Sequence, residues 1–562
     1  MKIRRSLLVF LVLLFAVGGL ALDRQAFTFT HYNLRVKLDP AKQGFSVDGS
    51  LQARNDSSSP QKNLVLQISG TLQWTSVRIG GDEVQWVQQP YTSDIDHTGQ
   101  LSEAILVLPK PVPPGSSVTV DFAYEGTIPL NTGRLLRVNT PGNFAARTDW
   151  DRISEDFTAV RGVGYVAWHP VSMDAASLDN GPEVWDRVAA WNDRERESTM
   201  SARFLVPGGM QLVSNADSSK NLSAGETEIT YNSLGRVPVF VIAAFQVIDR
   251  PAITVYHIAA HTQQARDCVN AAEKDLPQVT DLFGPQKKKL VIVELPDQEV
   301  LPYDDGSQFF FAPMLNVQGP DLEMMLAHQL VHTIIESRRP WIREGLAYLA
   351  QLVLRERQGG RDQALAYLHS FNAPLAQTEK VNLEAGKPQP LATSNDQLLY
   401  RAKSAFVWFM LKDLVGADQL SAAVQKYQSA ADTQQAYMQS LLEAQSKKSL
   451  ESFFDDWVYR DKGLADFRVE TAYPRATLGE TYVVAVTVEN LGDAGANAIV
   501  LVQSDKGERA EHTWVAGKSK GVIRVSFPGI PQRVLVNDGS VPEWNFTNNE
   551  YELKNMPAAT PQ

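Results

Sequence analysis

The segment Met325–Gln351, "MLAHQLVHTIIESRRPWIREGLAYLAQ", decides how the rest of this 562-residue chain is read. Apolar residues recur at helical spacing on both sides of "ESRRP", which predicts two helices joined by a short turn. Pro340 suits the first turn of the second helix, where its missing N–H is no loss. His328 and His332 are four apart, so both face one side of the first helix, with Cβ atoms about 5–6 Å apart. Glu344 opens the second helix, with eleven residues between it and His332. An antiparallel return brings its carboxylate back towards the imidazoles. Two histidines and a glutamate form a zinc-ligand set that leaves one position free, as catalytic sites do.

Gln329 stands between the two histidines. A zinc hydrolase needs a carboxylate there, to take a proton from the attacking water and return it to the leaving group. Glutamine has the same size but no basic site near neutral pH. Positioned acid–base groups contribute about 10²–10⁴ in rate, which is roughly 3–5 kcal/mol of barrier. Glu323 and Glu336 are the local carboxylates that could substitute, although each reads first as a solvated helix residue.

Working outward, the segment before it has helical periodicity in "HTQQARDCVNAAEKDLPQVTDLFG", followed by strand-like "KKLVIVELP" and "SQFFFAPM". Further helices are predicted over 321–335, 340–358, 363–371, 397–415, 417–429 and 433–444. Residues 22–254 alternate apolar and polar. Tyr32, Leu34, Val36 and Leu38 share one face of "YNLRVKL", and Val118, Val120, Phe122 and Tyr124 share one face of "VTVDFAYEG". Alternation returns after 466 in "TYVVAVTVENLG" and "GVIRVSFPG", enough for a small β-sandwich. The predicted order is a β domain (22–254), an α-rich domain (255–465) and a β-sandwich (466–562), a multidomain α+β chain.

Composition excludes several classes. A net charge of −11 and a pI near 5.4 disfavour nucleic acid as a partner, because phosphate binding needs a basic surface. Lys2, Arg4 and Arg5, the apolar run Leu7–Val17 and the small residues at Gly19–Ala21 read as an export signal over 1–21. The run is short for a membrane span, which needs about 20 apolar residues. One cysteine, Cys268, permits no internal disulfide, which suits a bacterial periplasmic or secreted setting.

The helix pair resembles the catalytic core of the aminopeptidase N and leukotriene hydrolase family of zinc metallopeptidases, the gluzincin type. "HQLVH" stands where that family has H-E-x-x-H, and "REGLAYLAQ" where it has N-E-G. "YRAKSAFVWFMLKDLVG" is similar to its Y-x-K-G segment, and "SLESFFDDWVYRDKG" to the close of its catalytic domain. The resemblance implies a thermolysin-like domain, zinc on His328, His332 and Glu344, Gln329 in place of the catalytic glutamate that acts as general base, and Tyr400 as the phenol that steadies the tetrahedral intermediate.

The chain departs from the family at two further places. The family's G-x-M-E-N strand, which holds the substrate's free amine, is replaced by "LPYDDGSQFFFAP", where Asp304 falls nearest to its glutamate. "VAWHPVSMD" stands in place of the family's proline- and Asp/Glu-bearing segment of the β domain, with His169 read as structural. Two readings follow: a zinc-binding, aminopeptidase-like metallopeptidase relative that acts on or binds peptides with weak or lost hydrolysis, or a non-catalytic secreted module for protein or peptide binding or adhesion.

Overall fold

Period-two alternation becomes strand wherever it was strongest. In the computed structural model, which describes residues 22–222, 225–314, 319–477, 481–505 and 507–553, Phe27–Asp39 and Ser117–Thr127 bury Tyr32, Leu34, Val36, Val120, Phe122 and Tyr124 on one face. Both strands belong to an eight-stranded sheet, in which Gly44–Asn55 pairs antiparallel with each of them. A three-stranded sheet, with Gln100–Val112 at its centre, and a four-stranded sheet centred on Phe157–Val160 and Phe240–Ala243 complete the N-terminal region. The predicted export signal over 1–21 lies outside the described residues, as do residues 554–562. Among the described residues no helix is long and apolar enough to cross a membrane.

The middle region starts earlier than its helices suggest. Phe245–Asp249 and Ile253–Ile258 pair with each other, and the second runs parallel to Leu290–Glu294. Phe309–Ala312 continues the sheet in parallel, and the two-residue strand Tyr303–Asp304 closes it antiparallel at the edge. Helices Thr262–Phe283, Pro320–His332, Pro340–Gly359 and Ser404–Val415 cover this sheet and share one apolar core. The C-terminal region is a sandwich of a three-stranded and a four-stranded sheet. The architecture is therefore an N-terminal β region, a helical middle and a C-terminal β-sandwich.

Two packing devices set the helix that carries Glu344. Its entry is held by Arg339, which pairs with Asp432 at 2.9 Å, and by Ser337, whose hydroxyl accepts the Arg339 N–H. Pro340 then occupies the first turn, as its residue type predicts. Gly345 follows Glu344, and an added Cβ would lie 2.3 Å from Trp408 Cδ1 and 2.9 Å from Ser404 Cβ. The missing side chain lets Ser404–Val415 approach closely, so that Trp408 stacks on Trp341 with centroids 5.3 Å apart and donates to its carbonyl. "EG" is thus a ligand candidate followed by a packing requirement.

Lys403 anchors the other end of that contact. It is fully buried and sits between Glu379, at 2.7 Å, and Asp461, at 3.0 Å. Removing one partner of a buried ion pair leaves an uncompensated charge. Lys403→Met should therefore lower stability by about 3–5 kcal/mol, and Gly345→Ala by about 1–3 kcal/mol through overpacking against Trp408. Chemical denaturation of the full chain, followed by tryptophan fluorescence, checks both; an unchanged midpoint for either variant contradicts the packing described.

Candidate metal centre

The helix hairpin does what its spacing predicts. His328 and His332 lie on one face of Pro320–His332, their rings edge-to-face with centroids 4.9 Å apart. Glu344, in the first turns of Pro340–Gly359, turns its carboxylate back, with oxygens 3.6 Å from His328 Nε2 and 3.9 Å from His332 Nε2. Asp304 arrives from the sheet edge. Its Oδ2 lies 3.5 Å from His328 Nε2 and 3.3 Å from His332 Nε2. Ligand atoms of all four residues fall within 4.8 Å of one another. All are largely buried, with side-chain exposures from 0% for His332 to 13% for Asp304.

Asp304 is fixed from three directions. Its Oδ1 accepts the Gly306 N–H at 2.7 Å, closing a tight turn in which Gly306 takes a φ of +71°. The Arg343 guanidinium lies where a Gly306 Cβ would be, at 2.6 Å, so this glycine is required both by its dihedral and by close approach. The N-terminal region grips the segment before it. The Leu301 N–H donates to the Arg147 carbonyl, Trp150 Nε1 donates to the Leu301 carbonyl, and Tyr165 packs on Tyr303 at 5.7 Å. Finally, Gln329 Nε2 donates to Asp304 Oδ2 at 2.9 Å.

The other residues singled out in the sequence fall as follows. Gln329 is buried beside the donors with its amide nitrogen bonded to Asp304, and with His328 and Tyr348 it lines a smaller cavity of about 350 Å³. Tyr400 sits on a five-residue π-helical turn, Leu399–Lys403, which precedes Ser404–Val415. It lines a cleft of about 850 Å³ together with His332 and Arg343. Burial pushes its hydroxyl up to about 12; the Arg401 charge opposes this and the Glu344 charge adds to it. Glu323 is paired with Lys274 at 2.5 Å and Glu336 with Lys288, and neither is among the four donors. His169 is buried among Tyr32, Trp168 and Trp191 in the N-terminal core, where burial lowers it to about 4.

Sequence reasoning passed over Tyr348 and Arg343. Tyr348 is one helical turn after Glu344 and packs edge-on against the His328 ring at 5.0 Å. Its spacing of four from Glu344 was a legible signal. Arg343 Nε donates to Glu344 Oε1 at 3.1 Å and fixes the carboxylate's orientation.

The donor set fits a divalent cation. His332 Nε2 is buried and makes no hydrogen bond, although Asp304 Oδ2 is only 3.3 Å away. Two buried carboxylates against two imidazoles are the groups zinc takes. Charge within the group agrees. Burial opposes ionisation of Asp304 and Glu344, but the two histidines outweigh it and hold both carboxyls well below their usual range. Burial likewise opposes charge on His328, yet the two carboxylates raise it to about 9.

That shift sets a sign. An imidazole ligand must be neutral, so binding expels the His328 proton at pH 7. Metal affinity should therefore climb about tenfold per pH unit and level off near pH 9. The metal-free fold behaves in the opposite sense: the stability it gains from the raised His328 value is complete below the ordinary imidazole range and is lost as pH rises through about 9. Chelator competition across pH 6–10 reads the first effect; a flat profile would contradict it.

No protein-family model matches the chain, and no curated protein matches it. Solved structures that are similar include the M1 zinc metallopeptidase from Deinococcus radiodurans, at 17% identity and a TM-score of 0.47, covering 77% of this chain and 94% of that one. A mutant of the same enzyme bound to a Tyr-Ser-Ala substrate matches at 15% identity and a TM-score of 0.47, with the same coverage. A two-domain M1 zinc metallopeptidase mutant bound to L-arginine matches at 16% identity and 0.48 over the same shares.

Proposed function

We propose that this chain is a zinc-binding, aminopeptidase-like protein of the bacterial cell exterior that receives peptides in its cleft and hydrolyses them weakly or not at all. The observation that carries the reading is the convergence of His328, His332, Glu344 and Asp304 beside a glutamine, with His332 reaching the wall of a large cleft. Zinc held there would tie the helix hairpin to the sheet edge, and would act as a Lewis acid only through a coordination position left open. The protein side supplies ligands, through the two imidazoles and the carboxylates, and orientation, through Arg343 on Glu344. It supplies no proton acceptor at the place between the histidines. Gln329 cannot take a proton, and its amide is already committed to Asp304.

The cleft supports the peptide part of the reading. Its volume of about 850 Å³ lies within the range of ligand sites, roughly 300–1,000 Å³. Its walls carry both charges, and several of those charges are matched within the protein, as in Lys288–Glu336 and Arg339–Asp432. Polar groups along such a wall can pair with the N–H and C=O groups of an extended backbone. Tyr400 offers a phenol to a bound carbonyl.

Zinc-loaded full-length protein should bind fluorescent mixed peptides saturably and leave them intact by mass spectrometry. Tyr400→Ala, on the cleft wall, should weaken binding about tenfold, or ~1.4 kcal/mol. Rapid turnover of the peptides by the natural protein would defeat the proposal, as would absence of zinc after reconstitution.

A further inference from the structure

The geometry points to Gln329 as a positioning residue that latches Asp304 into the metal set and so closes the coordination sphere. This deepens the functional reading and rests on it for the presence of a metal.

The spacing of the donors is the first support. With Zn–N and Zn–O lengths near 2.0–2.2 Å, neighbouring donors of a four-coordinate site stand roughly 3.3–3.6 Å apart. Asp304 Oδ2 stands 3.3 and 3.5 Å from the two imidazole nitrogens, and Glu344 stands 3.6 and 3.9 Å from them. Asp304 is therefore spaced as a ligand at least as well as Glu344. Two histidines and two carboxylates complete four donors, which is the closed, structural pattern.

The hydrogen bond is the second support. Only the amide nitrogen of Gln329 can meet a carboxylate oxygen, and it meets Oδ2, the same atom that faces both imidazoles. The other oxygen, Oδ1, is tied to the Gly306 N–H. The aspartate is thus held at both oxygens and has one direction left for its remaining lone pair. A glutamate at 329 would set a second carboxylate against Oδ2, and like charges in a buried site repel. Glutamine at 329 and aspartate at 304 are matched. The carbonyl Oε1 of Gln329 is buried without a partner, so the side chain holds its place for the bond made by its nitrogen. Gln329 is then more than an absent base, because it recruits the group that fills the position a substrate would need.

The test uses the full chain loaded with cobalt(II) in place of zinc and titrated with acetohydroxamate, read by visible absorption. The natural protein should give the intense bands of a four-coordinate site and should not respond to hydroxamate. Gln329→Leu and Asp304→Asn should each show a saturable spectral change with hydroxamate. Gln329→Leu should also lose about 10–100-fold in metal affinity, the usual effect of removing a group that orients a ligand. A merely structural role for Gln329 would alter stability without opening the spectrum to hydroxamate. A hydroxamate response of the natural protein equal to that of the variants would overturn the inference while leaving the zinc reading standing. So would a Gln329→Leu protein whose spectrum and affinity match the natural one. No cobalt uptake by the natural protein would overturn both. If a variant does not fold by circular dichroism, the natural protein's spectrum and its response decide alone.

Discussion

Four ionisable side chains are buried within 4.8 Å of one another, and the rest of the middle region is arranged to make that possible. Bringing two carboxylates and two imidazoles out of water is expensive unless their charges are mutually compensated or held by a cation. The compensation here is specific. Arg343 turns Glu344, the Gly306 N–H and the Gln329 amide hold Asp304, and Tyr348 closes one side of His328. The close approach of Trp408 over Gly345 then holds Ser404–Val415 against the helix that carries Glu344, and Lys403 ties the turn before it to Glu379 and Asp461.

Much of this was legible in the sequence because it depends on local spacing. His328 and His332 share a helix face by their separation alone, and a short turn before Pro340 is able to bring Glu344 back, as it does. The helices over 321–335, 340–358 and 417–429 appear within a few residues of their predicted ends, as Pro320–His332, Pro340–Gly359 and Ala417–Gln425. The strand faces of "YNLRVKL" and "VTVDFAYEG" are buried largely as their alternation implies.

What was not legible depends on contacts between distant segments. Nothing in "LPYDDG" says that its first aspartate reaches both histidines, because its position is set by Arg147 and Trp150 of the N-terminal region. The helix Asn372–Glu384 has little apolar periodicity, since what it buries includes Asn372 and Glu379, and the latter faces Lys403. A polar core is invisible to a hydrophobic pattern. The β reading of 22–254 could not say which sheet its last residues join, and Phe245–Asp249 with Ile253–Ile258 belongs to the middle sheet. The π-helical turn at Leu399–Lys403 likewise follows from the packing of Lys403 and has no signature in composition.

The most direct measurement is anomalous diffraction at the zinc absorption edge from crystals of the reconstituted full-length protein. One peak is expected, about 2.0–2.2 Å from His328 Nε2, His332 Nε2, a Glu344 oxygen and Asp304 Oδ2, with Gln329 Nε2 still on Asp304. A site with no peak, or a peak held by the histidines and Glu344 while Asp304 is turned away, would contradict it.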